Sequence, residues 1–502
     1  MNLPRGLVAL LIASLCSIAS RAAAPGLPRS APEAQGVSAA ALLEFVEEAE
    51  AKINALHSVV IVRHGQVIAE GWWSPYAAEE PHVMFSLSKS FTSTAVGLAI
   101  ADGKMSVDDL VSKFFPEEMP EKPSTNLKAM RVRDLLTMST GHHNEDIATF
   151  PFMAEESLVK KFLALPVTHK PGTSFVYNTP ATYMLSAIVQ KVTGQTVLEY
   201  LKPRLFDPLG IAHATWEASK QGISLGGFGL SIRTEDIAKF GQLYLQRGMW
   251  QGKQLVPAAW TETATARWMS NGSSPTSDWD QGYGFQFWRC RNGAFRGDGA
   301  HGQFCVVLPE QDAVVAITAG TRDLQGVLNV VWAKILPALQ AEVKGALPAD
   351  AAADEKLKRK LASLTLKKAV GIATPALAKE IASRRYVFPK NPQAIEAITL
   401  APADDDVKAT VMTVVINGAE DKVKISGEGW TRGELQNGPS AGRVALSGAW
   451  TAADTFTLDV VRYQTPFTAR YRMKFTGDGE TVTLETAPNV GATPAAVVGR
   501  RE

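Results

Sequence analysis

The stretch Met84-Phe85-Ser86-Leu87-Ser88-Lys89-Ser90-Phe91-Thr92 constrains this chain more than any other. It runs into Ala95-Val96-Gly97-Leu98-Ala99-Ile100, apolar and rich in small residues, as a helix buried on all sides is. Ser86 and Lys89, three apart, are neighbours on one face of such a helix. A helix beginning at Ser86 holds that hydroxyl where unpaired backbone N–H groups and the macrodipole favour developing negative charge. Lys89 then lies one turn on, within reach of the hydroxyl's proton. The plainer use of such a serine is an N-cap. A nucleophile needs further partners elsewhere in the chain.

At 502 residues the chain exceeds one ordinary domain, and two or three are expected. An apolar fraction of 46% is ample for their cores. The net charge of +1 gives no electrostatic reason to expect nucleic acid as a partner. Arg5 precedes an apolar run, Gly6 to Ile18, and then small residues up to Ala24; residues 1–24 read as a secretory signal. That run is too short for a permanent span, and no later segment is apolar enough, so a periplasmic or secreted protein is expected. Export permits a disulfide between Cys290 and Cys305, but the two serve equally well as buried small residues. The histidines supply no zinc spacing, so neither a metal nor a cofactor is expected.

Ser38 precedes an amphipathic helix carrying Leu42, Leu43, Phe45 and Val46. Strand-like runs follow at 58–62 and 67–72, around the turn His64-Gly65. Residues 103–220 read as short helices and loops, 235–247 as a helix, and 283–290, 302–308 and 312–318 as strands before a helix over 323–342. Together they predict an α+β domain over 25–345, with one antiparallel sheet flanked by helices. Residues 346–385 read as a linker in which Leu357, Leu361 and Leu364 mark an exposed connecting helix. From 386 to 502 the pattern is β, clearest where Phe467, Ala469, Tyr471, Met473 and Phe475 alternate with polar residues. A small sandwich or barrel is expected there, an accessory domain with no chemistry of its own.

Two later segments complete a site. Serine is a poor nucleophile without a base, and Lys170-Pro171-Gly172-Thr173-Ser174-Phe175-Val176-Tyr177-Asn178-Thr179 offers Tyr177, provided that Lys89 depresses its pKa. Gly299-Ala300-His301-Gly302-Gln303-Phe304 enters an apolar strand through glycine, which lets a substrate approach backbone closely. The N–H of Gln303 would there pair with that of Ser86 as an oxyanion hole.

These three segments, in this order, resemble the serine β-lactamase-like superfamily. The likeness is to its branch of class C β-lactamases, penicillin-binding proteins, esterases and 6-aminohexanoate oligomer hydrolases. Residues 59–72, 103–109, 133–141 and 226–231 are similar to its framework, so the resemblance covers roughly 35–340. It implies a β-lactamase/transpeptidase-like sheet flanked by helices plus an all-helical subdomain. It also implies Ser86 as acylated nucleophile, Lys89 as its proton partner and Tyr177 as general base. His301, Gly302, Gln303 and Asn178 would line the oxyanion hole and substrate site. Two departures stand out. Thr179 occupies the asparagine position of the usual Tyr-x-Asn, and Ala300 the cation that usually opens the strand triplet. Both point away from an efficient β-lactamase, towards ester or amide hydrolysis of a small molecule or peptide. The alternatives are a D,D-peptidase or D-amino-acid amidase, and a non-catalytic penicillin-binding-like protein. Oligomeric state leaves no mark in the sequence.

Overall fold

The computed structural model describes residues 26–339, 345–403 and 406–502; the expected signal segment lies outside them. Its centre is a six-stranded antiparallel sheet made of β1 (Leu56–Arg63), β2 (Gln66–Trp72), β3 (Trp288–Arg289), β4 (Phe295–Gly299), β5 (Gln303–Leu308) and β6 (Ala313–Ala319). The strands lie in the order β2-β1-β6-β5-β4-β3. Successive side chains of a strand point to opposite faces, and β1 is apolar on both. Val59 and Ile61 face helix α1 (Ala39–Lys52) and the helical segment 324–339, whereas Val60 and Val62 join the core under the central helices. A strand covered on both faces has no solvent side, which is why Val59 to Val62 is an unbroken apolar run.

The second face is covered by α2 (Ser88–Ala101) and α4 (Thr234–Leu245), with α3 (Thr179–Thr193) beyond. Every residue of α2 from Ser88 to Ala99 is buried, which explains its small side chains. The helix 351–362 is not a free connector. Leu357 is buried, and Leu361 and Leu364 cover Gly71 of β2. Its apolar stripe is a docking face, and its charged residues, such as Glu355, Lys356, Lys358 and Arg359, meet water.

The C-terminal unit is a ten-stranded meander in which Ala419–Ser426 also pairs with Gly442–Ala452, closing the sheet into a barrel. Ile398, Met412, Ile425, Leu446, Leu458, Met473 and Phe475 fill its interior. Met473 and Phe475 sit inside as the alternation predicts. Phe467 does not: it lies in the loop before Thr468–Phe475 and faces the other domain. The barrel is tied to that domain by several bonds. Tyr76 Oη donates to the Thr465 carbonyl at 2.9 Å, Val83 N to the Gln464 carbonyl at 3.0 Å, and Asn489 Nδ2 to the Gly320 carbonyl at 2.7 Å.

Candidate active site

The backbone bearing Ser86 is held from several sides. Met84 N donates to the Leu230 carbonyl at 2.8 Å, and Phe85 takes a left-handed φ of +48°. A single 3-10 turn, Phe85–Leu87, then feeds directly into α2. Ser88 Oγ locks the turn, donating to the Phe85 carbonyl at 2.6 Å and accepting from Leu230 N at 3.2 Å. Ser86 remains partly accessible beside an otherwise buried helix.

Lys89, one turn on, is 1% exposed. Its Nζ donates to Ser86 Oγ at 2.9 Å and to the Gly227 carbonyl at 2.8 Å. Among the described residues no carboxylate lies at ion-pair distance from Nζ. Burial lowers its pKa to about 7, against a small upward pull from Asp298. A side chain at Gly227 would crowd this contact, since a Cβ there falls 2.7 Å from Thr179 Cγ2 and 3.5 Å from Lys89 Nζ.

Tyr177 stands at the same point. The Lys89 ammonium nitrogen lies 4.9 Å from the centre of its ring, which stacks on Trp288 at 5.3 Å. Burial holds its phenol well above the usual range, only partly offset by a hydrogen bond with Ser86. The expected depression by Lys89 is therefore absent, because the amine is itself driven towards neutrality.

Asn178 is not brought to the nucleophile. It is fully buried and caps α3, its Oδ1 accepting from Ala181 N at 2.9 Å and its Nδ2 donating to Thr140 Oγ1 at 3.0 Å. Residues 300–302 are a hairpin tip and not a strand edge. Gln303, paired across that hairpin with Gly299, is buried, and its side-chain amide donates to the Ala300 and Ala319 carbonyls. Gly302 forms the tip with a φ of +99°, and His301 (φ +68°) sets its ring at 5.2 Å from that of Phe85. Burial holds the His301 imidazole below its ordinary value.

The strand that passes the nucleophile is β4, Phe-Arg-Gly-Asp-Gly. A Cβ at Gly297 would strike Leu87 and come within 2.7 Å of Ser90 Oγ, and one at Gly299 would strike the Met84 carbonyl. Only glycine lets this backbone come so close to the Ser86 turn. On the same strand Arg296, wholly buried, pairs with Asp298 at 2.8 Å beneath Trp279 and Trp288. Burial raises the Asp298 carboxyl, opposed by Arg296 and Lys89. Composition conceals this strand, whose glycines and charges are poor strand formers, and its Gly-x-Gly beside buried charges is the one signal it leaves. Cys290 and Cys305 are free, buried thiols.

A buried lysine hydrogen-bonded to a serine hydroxyl at the head of a central helix is the Ser-x-x-Lys arrangement of β-lactamase-fold proteins. The family model described as Beta-lactamase matches residues 54–336, and the chain belongs to that family as one of its serine hydrolases. The 6-aminohexanoate-dimer hydrolase of Paenarthrobacter ureafaciens is 27% identical over 282 residues, 51% of this chain and 70% of that protein. The Escherichia coli O157:H7 "Putative D-alanyl-D-alanine carboxypeptidase" is 23% identical over 241 residues, 42% of this chain and 55% of its own. Among solved structures, the "Putative 6-aminohexanoate-dimer hydrolase from Bacillus anthracis" shares the fold, with a TM-score of 0.53 and 20% identity over 65% of this chain and 90% of that one.

Proposed function

We propose that this is an exported hydrolase that cleaves neutral esters or amides through an acyl-enzyme on Ser86. The observation that carries the reading is the 2.9 Å contact between Ser86 Oγ and a lysine that burial brings close to neutral at pH 7. As Ser86 Oγ bonds to the substrate carbonyl carbon, its proton passes to Lys89 Nζ. The carbonyl π electrons move to oxygen, where the N–H of Ser86 and the backbone at the end of β4 stabilise the charge. Two such donors are each worth roughly 3 kcal/mol of barrier. Collapse expels the alcohol or amine, which takes the proton back, and Tyr177, held in its phenol form, relays it between Lys89 and the leaving atom. Water then repeats the sequence on the acyl-enzyme. Export rests on Arg5 and the apolar run after it.

The preference for neutral substrates is read from the hairpin tip and β4, where the family's carboxylate-binding cation would stand. Ala300 offers none, Arg296 is committed to Asp298, and His301 is uncharged at neutral pH. Purified protein is expected to turn over p-nitrophenyl acetate and short neutral amides with a kcat/KM about tenfold or more above that for nitrocefin or D-Ala-D-Ala peptides. The reverse order would assign a D,D-peptidase or β-lactamase. No turnover of any of them, with no covalent labelling of Ser86, would assign a binding protein.

A further inference from the structure

The loop Arg462–Phe467 of the barrel reaches the turn that carries the nucleophile. The Phe467 ring centre lies 6.1 Å from that of Phe85, the residue before Ser86, and 5.6 Å from that of His301, both edge-on. The loop is clamped at three successive carbonyls. Gln464 accepts from Val83 N at 3.0 Å, Thr465 from Tyr76 Oη at 2.9 Å, and Pro466 from Asn489 Nδ2 at 2.7 Å. Val83 stands three residues before the nucleophile, so the loop is tied to the segment that carries Ser86. The Arg462 guanidinium lies 5.5 Å from the Phe467 ring centre, over its face. Phe467 is nevertheless only half-buried. A large aromatic held rigidly in place and left partly open beside a nucleophile is placed for contact with something else. Tyr177, its ring engaged by Trp288 and by the Lys89 ammonium, is partly exposed at the same Ser–Lys pair.

From this placement we infer that Phe467 is a specificity-determining residue, through which the barrel supplies one wall of the substrate cleft and selects acyl groups bearing an aromatic ring. The inference rests on the serine-hydrolase reading and names its substrate class. An aromatic acyl group on Ser86 would lie against Phe467, gaining apolar burial and edge-to-face contact there, with the partly exposed edge of the Tyr177 ring as the opposite wall. Acetate reaches neither wall. A pocket contact of this kind discriminates by about ten- to a hundredfold, as other apolar pockets do.

The test compares p-nitrophenyl phenylacetate with p-nitrophenyl acetate in the full chain, in Phe467→Ala and in Phe467→Leu. The leaving group is constant, and the ratio of the two kcat/KM values cancels any loss of active protein. The expected result is a ratio that falls about tenfold or more in Phe467→Ala, mainly through KM for phenylacetate, and is largely restored in Phe467→Leu. An unchanged ratio, or equal losses on both esters, overturns the proposal. Labelling by diisopropyl fluorophosphate runs in parallel and separates the two claims. A parent protein labelled at Ser86 with an unaltered ratio overturns the role of Phe467 alone. A parent that takes no label overturns the serine-hydrolase reading and this inference with it.

Discussion

Replacing Ser86 by alanine is expected to remove ester turnover by about 10⁴-fold or more, while the thermal melting curve stays within a degree or two of the parent. The hydroxyl is partly accessible, and the change deletes only its contacts with Lys89 Nζ and the Tyr177 phenol. Nothing in the cores depends on it. The chemistry does, since no other group stands where the acyl-enzyme forms. Turnover that survives Ser86→Ala in purified protein would move the reaction to a different residue.

Lys89→Met is expected to act on both activity and stability. Methionine fills nearly the same volume, so packing is conserved. Loss of the base is expected to lower kcat by about 10³-fold. In the parent, the lysine with its pKa near 7 makes kcat/KM rise with pH through about 7 as the amine loses its proton. Stability moves the other way on mutation. The unfolded chain holds Lys89 protonated up to about pH 10.4, the folded chain only up to about 7. Between those values the unfolded state binds more protons, so the parent's stability climbs with pH across the window. Below it the buried charge costs on the order of a few kcal/mol. Lys89→Met is therefore expected to unfold at higher denaturant concentration than the parent at pH 6, with the gap closing towards pH 10. Equal midpoints at both pH values would mean that the amine is better solvated than its burial indicates.

The parts of the site legible in the sequence are those written in local spacing. Ser86 and Lys89 meet because they are one helical turn apart, and the small residues after them announce a helix enclosed on all sides. Tyr177 is legible through its Pro-Gly-x-x-Phe-x-Tyr context, but its titration is not. The sequence shows Lys89 as a cation, whereas burial weakens that charge and raises the phenol together. Asn178 looked like a ligand, yet Pro180 after it marks the helix start that it caps.

What was not legible depends on distant neighbours. β4 carries glycine, arginine and aspartate and so reads as a turn. It is a strand because the space against Leu87 and Met84 admits no side chain, and because Arg296 and Asp298 neutralise each other beneath two tryptophans. Phe467 continues the alternation of Ala469, Tyr471 and Met473, so period alone assigns it to the barrel interior. The strand begins one residue later, and Phe467 belongs to the domain interface. The leucines at 357, 361 and 364 showed a stripe but not what covers it. The partner surfaces are helix α1 and the β2 backbone at Gly71, about three hundred residues away.

In the proposed reaction Ser86, activated by a neutral Lys89, carries the acyl group. Its most direct measurement is the mass of the intact protein after reaction with a fluorophosphonate, followed by peptide mapping. One adduct per chain is expected, on the peptide containing Ser86, absent in Ser86→Ala and formed far more slowly in Lys89→Met. An adduct on another serine, or rapid turnover of p-nitrophenyl esters by a protein that takes no adduct at Ser86, would contradict it.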